Sequence, residues 1–216
     1  MTRLAPDQDA GAEGADALAA ETDGRHLRRA HNRETVVDAL LALYDEGDLR
    51  PGAHRIAERA GISPRSLFRY FEDTDDLARE AITRQQARAM PLLPIHIDAA
   101  APFDDRVRAL IDQRFRLFNG LGQAAHVARL RAPFQTSVAE ALTGTRRFLR
   151  NQISTLFAPE LAALGEQADA ALAAADVLTS FESAQLLTGD QEQSVEQSKS
   201  ILTHALSALF SSGGFR

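Results

Sequence analysis

The chain has 216 residues, a formal net charge of −6 and neither cysteine nor tryptophan. A hydrophobic share of 44% and a charged share of 25% suit an ordinary globular chain, in one large domain or two small ones, whose core needs no covalent staple. Without cysteine there is no disulfide scaffold, thiolate zinc site, redox pair or thiol nucleophile, and the composition fits a cytoplasmic address.

Residues 1–24 set Arg3 alone against Asp7, Asp9, Glu13, Asp16, Glu21 and Asp23, a net −5. With only Leu4 and Leu18 as large apolar groups beyond Met1, this stretch cannot offset its ordering entropy and reads as a disordered leader. It has neither the basic start nor the apolar run of a signal peptide, and no stretch of the chain reads as a membrane span. Residues 25–69 carry nine Arg against six acids, a net +3, and form the one basic stretch.

From Arg25 onward the pattern is helical. Val36, Val37, Leu40, Leu41 and Tyr44 recur at spacings of three and four, which predicts a first helix from about His31 to Glu46, stopped at Gly47. A short second helix follows Pro51-Gly52, with Ile56, Ala57 and Ala60 inward, and halts at Gly61. Ser63 as N-cap and Pro64 at the first helical position open a third helix over 64–71. Asp75 and Asp76 open a fourth through about Met90, closed by Pro91 and Pro94. Further helices are expected over 103–119, about 123–131, 136–157, 168–187 and 191–211, divided by Pro133, Pro159, Gly165 and Gly189. No strand pattern competes, so the fold class is all-α.

The second and third helices, joined by Ala60-Gly61-Ile62-Ser63, have the dimensions of a helix-turn-helix whose second helix enters the DNA major groove. Steps of about 100° from Arg65 place Arg69, Ser66 and Tyr70 within one arc of about 140°, with Leu67, Phe71 and Phe68 opposite. The apolar arc would pack the reading helix onto its neighbours. Two guanidiniums on the other arc can contact guanine or grip phosphate, Ser66 can reach a base edge, and Tyr70 can donate to phosphate with its ring packed. His54 and Arg55, at the start of the second helix, stand where backbone N–H groups favour a phosphate. By themselves these features also fit an amphipathic helical hairpin with surface arginines.

The run from Ile56 to Phe71, IAERAGISPRSLFRYF, followed by Asp75-Asp76-Leu77, resembles the N-terminal DNA-binding signature of the tetracycline-repressor (TetR) family of transcriptional regulators. The resemblance spans about Arg29 to Ala81. It implies an N-terminal three-helix DNA-binding domain over 25–80 and a larger helical domain for effector binding and dimerisation over 81–216. It also implies base contacts from Arg65, Ser66 and Arg69. Phosphate contacts fall to Tyr70 and the segment from Gly52 through His54 and Arg55, with Ser63 and Thr74 at the edges of the same surface. The chain departs from the family pattern at Phe68, where a phosphate-binding Tyr is commoner, and at Thr74, where many members have Lys. Arg25, Arg28, Arg29 and Arg33 could compensate as phosphate anchors or simply form a solvated helix start.

Because one reading helix covers only a half-site, a homodimer on double-stranded operator DNA comes with the resemblance. Its interface would use the last two long helices, with Leu202, Ala205, Leu206 and Leu209 as the stripe. An unknown small-molecule effector would occupy the middle helices, for which Phe115, Phe118 and Phe181 are candidate walls and Arg114, His126, Asn151 and Gln185 candidate polar anchors. His96 and His126 lack the neighbours of a metal site, so neither metal nor cofactor is expected.

Enzyme signatures fail. Gly61-Ile62-Ser63-Pro64-Arg65 lacks the final glycine of a nucleophile elbow, and Gly120-Leu121-Gly122-Gln123-Ala124-Ala125 spells a dinucleotide fingerprint with helix rather than strand before it. The expectation is a cytoplasmic, non-enzymatic regulator, a repressor released from a palindromic operator by its ligand. The alternatives are a regulator without inducer, or a helical enzyme or carrier whose hairpin is structural.

Overall fold

The computed structural model describes residues 29–211; the acidic leader and Arg25 and Arg28 lie outside the described residues. Among those described every regular element is helical. The chain divides into two compact units, with the boundary between Ala81 and Ile82.

In the first unit, helix α1 occupies residues 29–45, α2 Ala53–Arg59 and α3 Pro64–Tyr70, and α4, Thr74–Ala89, begins here and runs past the boundary. Val36, Val37, Leu40, Leu43 and Tyr44 of α1 are almost fully buried, as are Ile56 and Ala57 of α2, Leu67 of α3, Phe71, and Leu77 and Ala78 of α4. Each large side chain taken from water here contributes about 1.5–3 kcal/mol. Gly61 makes the turn between α2 and α3 at φ +67°, a left-handed conformation that a Cβ would oppose. Arg33 of α1 pins the unit together: its Nε donates to Glu80 Oε2 at 2.8 Å, Nη1 to the Tyr70 carbonyl, and the guanidinium lies 4.3 Å from the Phe71 ring centroid. It therefore serves as an internal tie between α1, α3 and α4.

The second unit contains a 3₁₀ turn at Met90–Leu92, then α5 (Phe103–Leu121), α6 (Ala124–Arg131), α7 (Thr136–Leu156), α8 (Ala158–Ala163), α9 (Ala168–Leu178), α10 (Phe181–Gln185) and α11 (Val195–Phe210). Its main core joins Leu110 and Ile111 of α5, Ile153 of α7, Phe157, Ala171 and Ala175 of α9 and Leu206 of α11. Phe157 stacks on Phe210 at 4.9 Å, and Phe103 meets both edge-on.

The expected single helix over 168–187 is two. Thr179 turns its hydroxyl back to the Ala175 carbonyl, and Ser180 caps a new start by accepting from Ser183 N. The α10 turn then widens into a π-helical segment, Leu186–Asp190. The last helix starts at Val195 rather than 191, because Ser194 and Gln197 close a reciprocal capping box there. Gly122 ends α5 at φ +53°, and a Cβ on Gly120 would fall 2.4 Å from Leu92 Cδ1, so the first has a backbone reason and the second a packing reason unrelated to nucleotide binding.

Two buried arginines stiffen the second unit. Arg106 donates from Nη1 to the Leu156 carbonyl at 2.6 Å and to Glu160 Oε2 at 3.0 Å, and from Nε to the Ala101 carbonyl at 2.9 Å. That pairing holds the Glu160 carboxyl below its ordinary range. Arg114 reaches Gln152 Oε1 and the Leu149 carbonyl, each at 2.9 Å, joining α5 to α7.

Candidate functional site

The first unit presents α3 outward along one side. Ser63 Oγ accepts from Ser66 N at 3.1 Å and lies 3.0 Å from Ser66 Oγ, so both hydroxyls hold the start of the helix, with Ser63 acting as its cap. Arg65 and Arg69 are exposed, and among the described residues Arg65 makes no ion pair. Arg69 lies along Tyr70, donating from Nη2 to its hydroxyl at 2.8 Å with the guanidinium 5.1 Å from the ring centroid. Tyr70 itself is buried, and its hydroxyl also accepts from Asn32 Nδ2 at 3.0 Å. The Arg69 and Asn32 hydrogen bonds hold the phenol below its ordinary pKa.

The two arcs expected for this helix need correcting at two positions. Phe68, expected inward, is 50% exposed, and Tyr70, set on the outward arc, has its ring packed in the core as its phosphate role required, but its hydroxyl is held by Arg69 and Asn32. On the helical wheel Phe68 lies about 60° from Arg65, whereas Tyr70 lies about 60° from buried Leu67, so the exposed sector is centred on Arg65 and flanked by Phe68 and Arg69. His54 and Arg55 are exposed at the start of α2, and Arg55 pairs with Asp48 at 2.9 Å. Thr74 is half-buried at the first position of α4, where Asp73 accepts from Asp76 N at 2.7 Å.

The second unit holds a cavity of about 470 Å³. Its apolar walls come from Ala89, Leu117, Phe118, Leu121, Ala125, Ala128, Leu142, Leu149 and Phe181. Among its polar lining groups, Arg129 Nε and Arg146 Nη2 both donate to the single oxygen Glu182 Oε1, at 2.8 and 2.5 Å. Burial opposes the Glu182 charge, but the two guanidiniums prevail and bring its pKa to about 2. Asp176, also lining, is pushed above the usual carboxylate range by burial, with Arg150 3.8 Å away. A second recess of about 550 Å³ is lined by Phe115, Asn119, His126, Gln185, Thr188 and Lys199, and Phe118 and Phe181 border both spaces.

The expected effector residues are thus divided. Phe115, His126 and Gln185 lie on the second recess, Phe118 and Phe181 on both spaces. Arg114 lines neither: it is 1% exposed and bound by neighbouring amides, and burial lowers its pKa to about 10. Asn151 is exposed on the outer side of α7 and lines neither. Arg129, Arg146 and Glu182 went unnoticed in the sequence because the pairs are 53 and 36 residues apart.

The stripe expected to dimerise also needs correction. Leu202 and Leu206 are buried in the unit's own core, and Ala205 and Leu209 are half-buried beside it. The outward face of α11 carries Ile201, His204 and Ala208, and Val195 at its start and Leu186 in the preceding π-helical segment are about half exposed. Among the described residues no helix is long and apolar enough to cross a membrane, and no group of three His, Asp or Glu side chains could hold a metal ion.

Residues 37–81 match the family model of bacterial regulatory proteins of the tetR family. No curated protein matches the chain in sequence. Among solved structures, a transcriptional regulator from Rhodococcus sp. Rha1 superposes with a TM-score of 0.61 at 16% identity, covering 85% of this chain and 98% of that one. A second protein from Rhodococcus sp., assigned to the TetR-family transcriptional regulators, gives 0.61 at 18% identity, covering 84% and 100%. At these identities the likeness is one of fold. Residues 37–81 of the first unit are thus similar to the regulatory proteins of the tetR family, and an all-helical architecture among the described residues accompanies that match.

Proposed function

We propose that this regulator acts as a cytoplasmic homodimer, without enzymatic activity, metal or cofactor, and represses transcription by occupying a palindromic operator until a small molecule binds the second unit. Arg65, Ser66 and Arg69 would read bases, with Phe68 beside them, while Tyr70, His54, Arg55 and Thr74 border the phosphates. The dimer would form on the outward face carrying Leu186, Val195 and Ile201. The observation that carries the reading is the pairing of an outward, guanidinium-bearing α3 with a roomy, largely apolar cavity in a separate compact unit. Ligand and DNA would stabilise different conformations of the dimer, so each weakens the other's binding.

The test is selection of binding sites from random duplex DNA, followed by titration of the selected site with wild type and Arg69→Ala. Loss of specific binding with the dimer intact is expected; unchanged affinity removes α3 as the reading element. A regulator without inducer is the second reading, and the 470 Å³ cavity speaks against it.

A further inference from the structure

The cavity lining combines apolar Leu117, Phe118, Ala125 and Leu149 with a charged junction, where Arg146, with 57% of its side chain exposed, and Arg129 meet at Glu182. Three helices contribute to that junction, Arg129 from α6, Arg146 from α7 and Glu182 from α10.

The lining sets two guanidiniums, Arg129 and Arg146, against two carboxylates, Glu182 and Asp176, with Arg150 outside it and 3.8 Å from Asp176, and both guanidiniums share the single oxygen Glu182 Oε1. A cationic ligand would have to take Glu182 from two arginines. An anion would add acceptors where donors are in excess, because a guanidinium carries five N–H groups. Arg129 spends Nε on Glu182 and Nη1 on the Ala125 carbonyl and lies 4.0 Å from the Phe181 ring centroid, which fixes its plane at the cavity wall.

We propose that the cavity takes an amphiphilic carboxylic acid, its apolar body among Leu117, Phe118 and Leu149 and its carboxylate held by Arg129 and Arg146. This assignment rests on the ligand-responsive reading above and names the chemistry of its ligand.

Calorimetric titration of the full-length protein with matched acids, alcohols and amines on n-decyl and 2-naphthyl skeletons tests it. On at least one skeleton the carboxylate should bind about tenfold or more tighter than the alcohol and the amine weakest, the gap narrowing with added salt. Arg146→Gln, at a half-exposed position, should bring carboxylate affinity down to near that of the alcohol and leave the alcohol unchanged. Arg129→Gln should lower carboxylate affinity as strongly, with a smaller loss for the alcohol because its guanidinium also braces the Phe181 wall. Equal affinities, preference for the amine, no carboxylate binding on either skeleton, or full carboxylate affinity in both variants overturns the proposal. Release from the selected DNA site is scored separately. A carboxylate that binds with this arginine dependence but leaves DNA bound supports the cavity assignment and overturns the release reading.

Discussion

Asn32 donates a hydrogen bond to the Tyr70 hydroxyl across 38 residues of chain, and the same oxygen accepts from Arg69. One phenol thus ties α1 to α3 and steadies an arginine on the exposed side of α3. Tyr70→Phe keeps the buried ring and removes both acceptor bonds. We expect unfolding free energy to fall by about 0.5–1.5 kcal/mol in urea titrations, and affinity for the selected DNA site to drop severalfold as Arg69 loses its rest. Unchanged values in both measurements would show the hydroxyl to be idle.

Phe68 gives a prediction of opposite kind. Being half exposed, it contributes little to the fold, and Phe68→Ser should change stability by no more than about 0.5 kcal/mol. DNA binding should weaken all the same. An aromatic edge on a reading helix suits a thymine methyl, so replacing thymines of the selected site by deoxyuracil should hurt wild type more than the variant.

The turn at Gly61 has open space around it but a left-handed backbone. Gly61→Val should therefore cost more than about 1 kcal/mol through strain rather than collision, whereas Gly61→Asn, whose side chain tolerates this conformation, should cost visibly less. Thermal midpoints of the two variants make the comparison, and equal losses would argue for crowding instead.

Arg106 and Glu160 give the molecule an acid-sensitive joint. Glu160 is held below its ordinary value of 4.5, chiefly by its hydrogen bond to Arg106, so the joint's contribution is complete above that pH and is lost as pH falls through the depressed folded value. Glu160→Gln should cost about 1–3 kcal/mol at neutral pH, Arg106 keeping its bonds to the Leu156 and Ala101 carbonyls. Below about pH 4.5 the wild-type urea midpoint should decline more steeply than that of the variant.

Much of the first unit was legible in its residues. Gly61 as turn, Ser63 with Pro64 as helix start, and the α1 stripe around Leu40 and Tyr44 are local signals, and each stands where local chemistry puts it. Phe68 and Tyr70 were misplaced because, in a seven-residue helix with aromatics on both sides, the wheel can be rotated without visible conflict. Leu202 and Leu206 show a related limit. An apolar stripe says that a helix buries one face, but whether its own chain or a second copy covers that face depends on contacts with α5 and α9 that spacing does not encode. The cavity was hidden for a simpler reason, since its leucines, alanines and phenylalanines are the residue types of any core and its polar junction joins distant positions.

Phe181 is a partition with a void on either side, braced by the Phe118 edge at 5.5 Å, the His126 ring at 5.0 Å and the Arg129 guanidinium. Pruning this ring would knock two rooms into one and set the brace of Arg129 loose in the same stroke. Under the proposed reading, a single substitution at this position would open the site to guests of a larger size class and leave the first unit as it was.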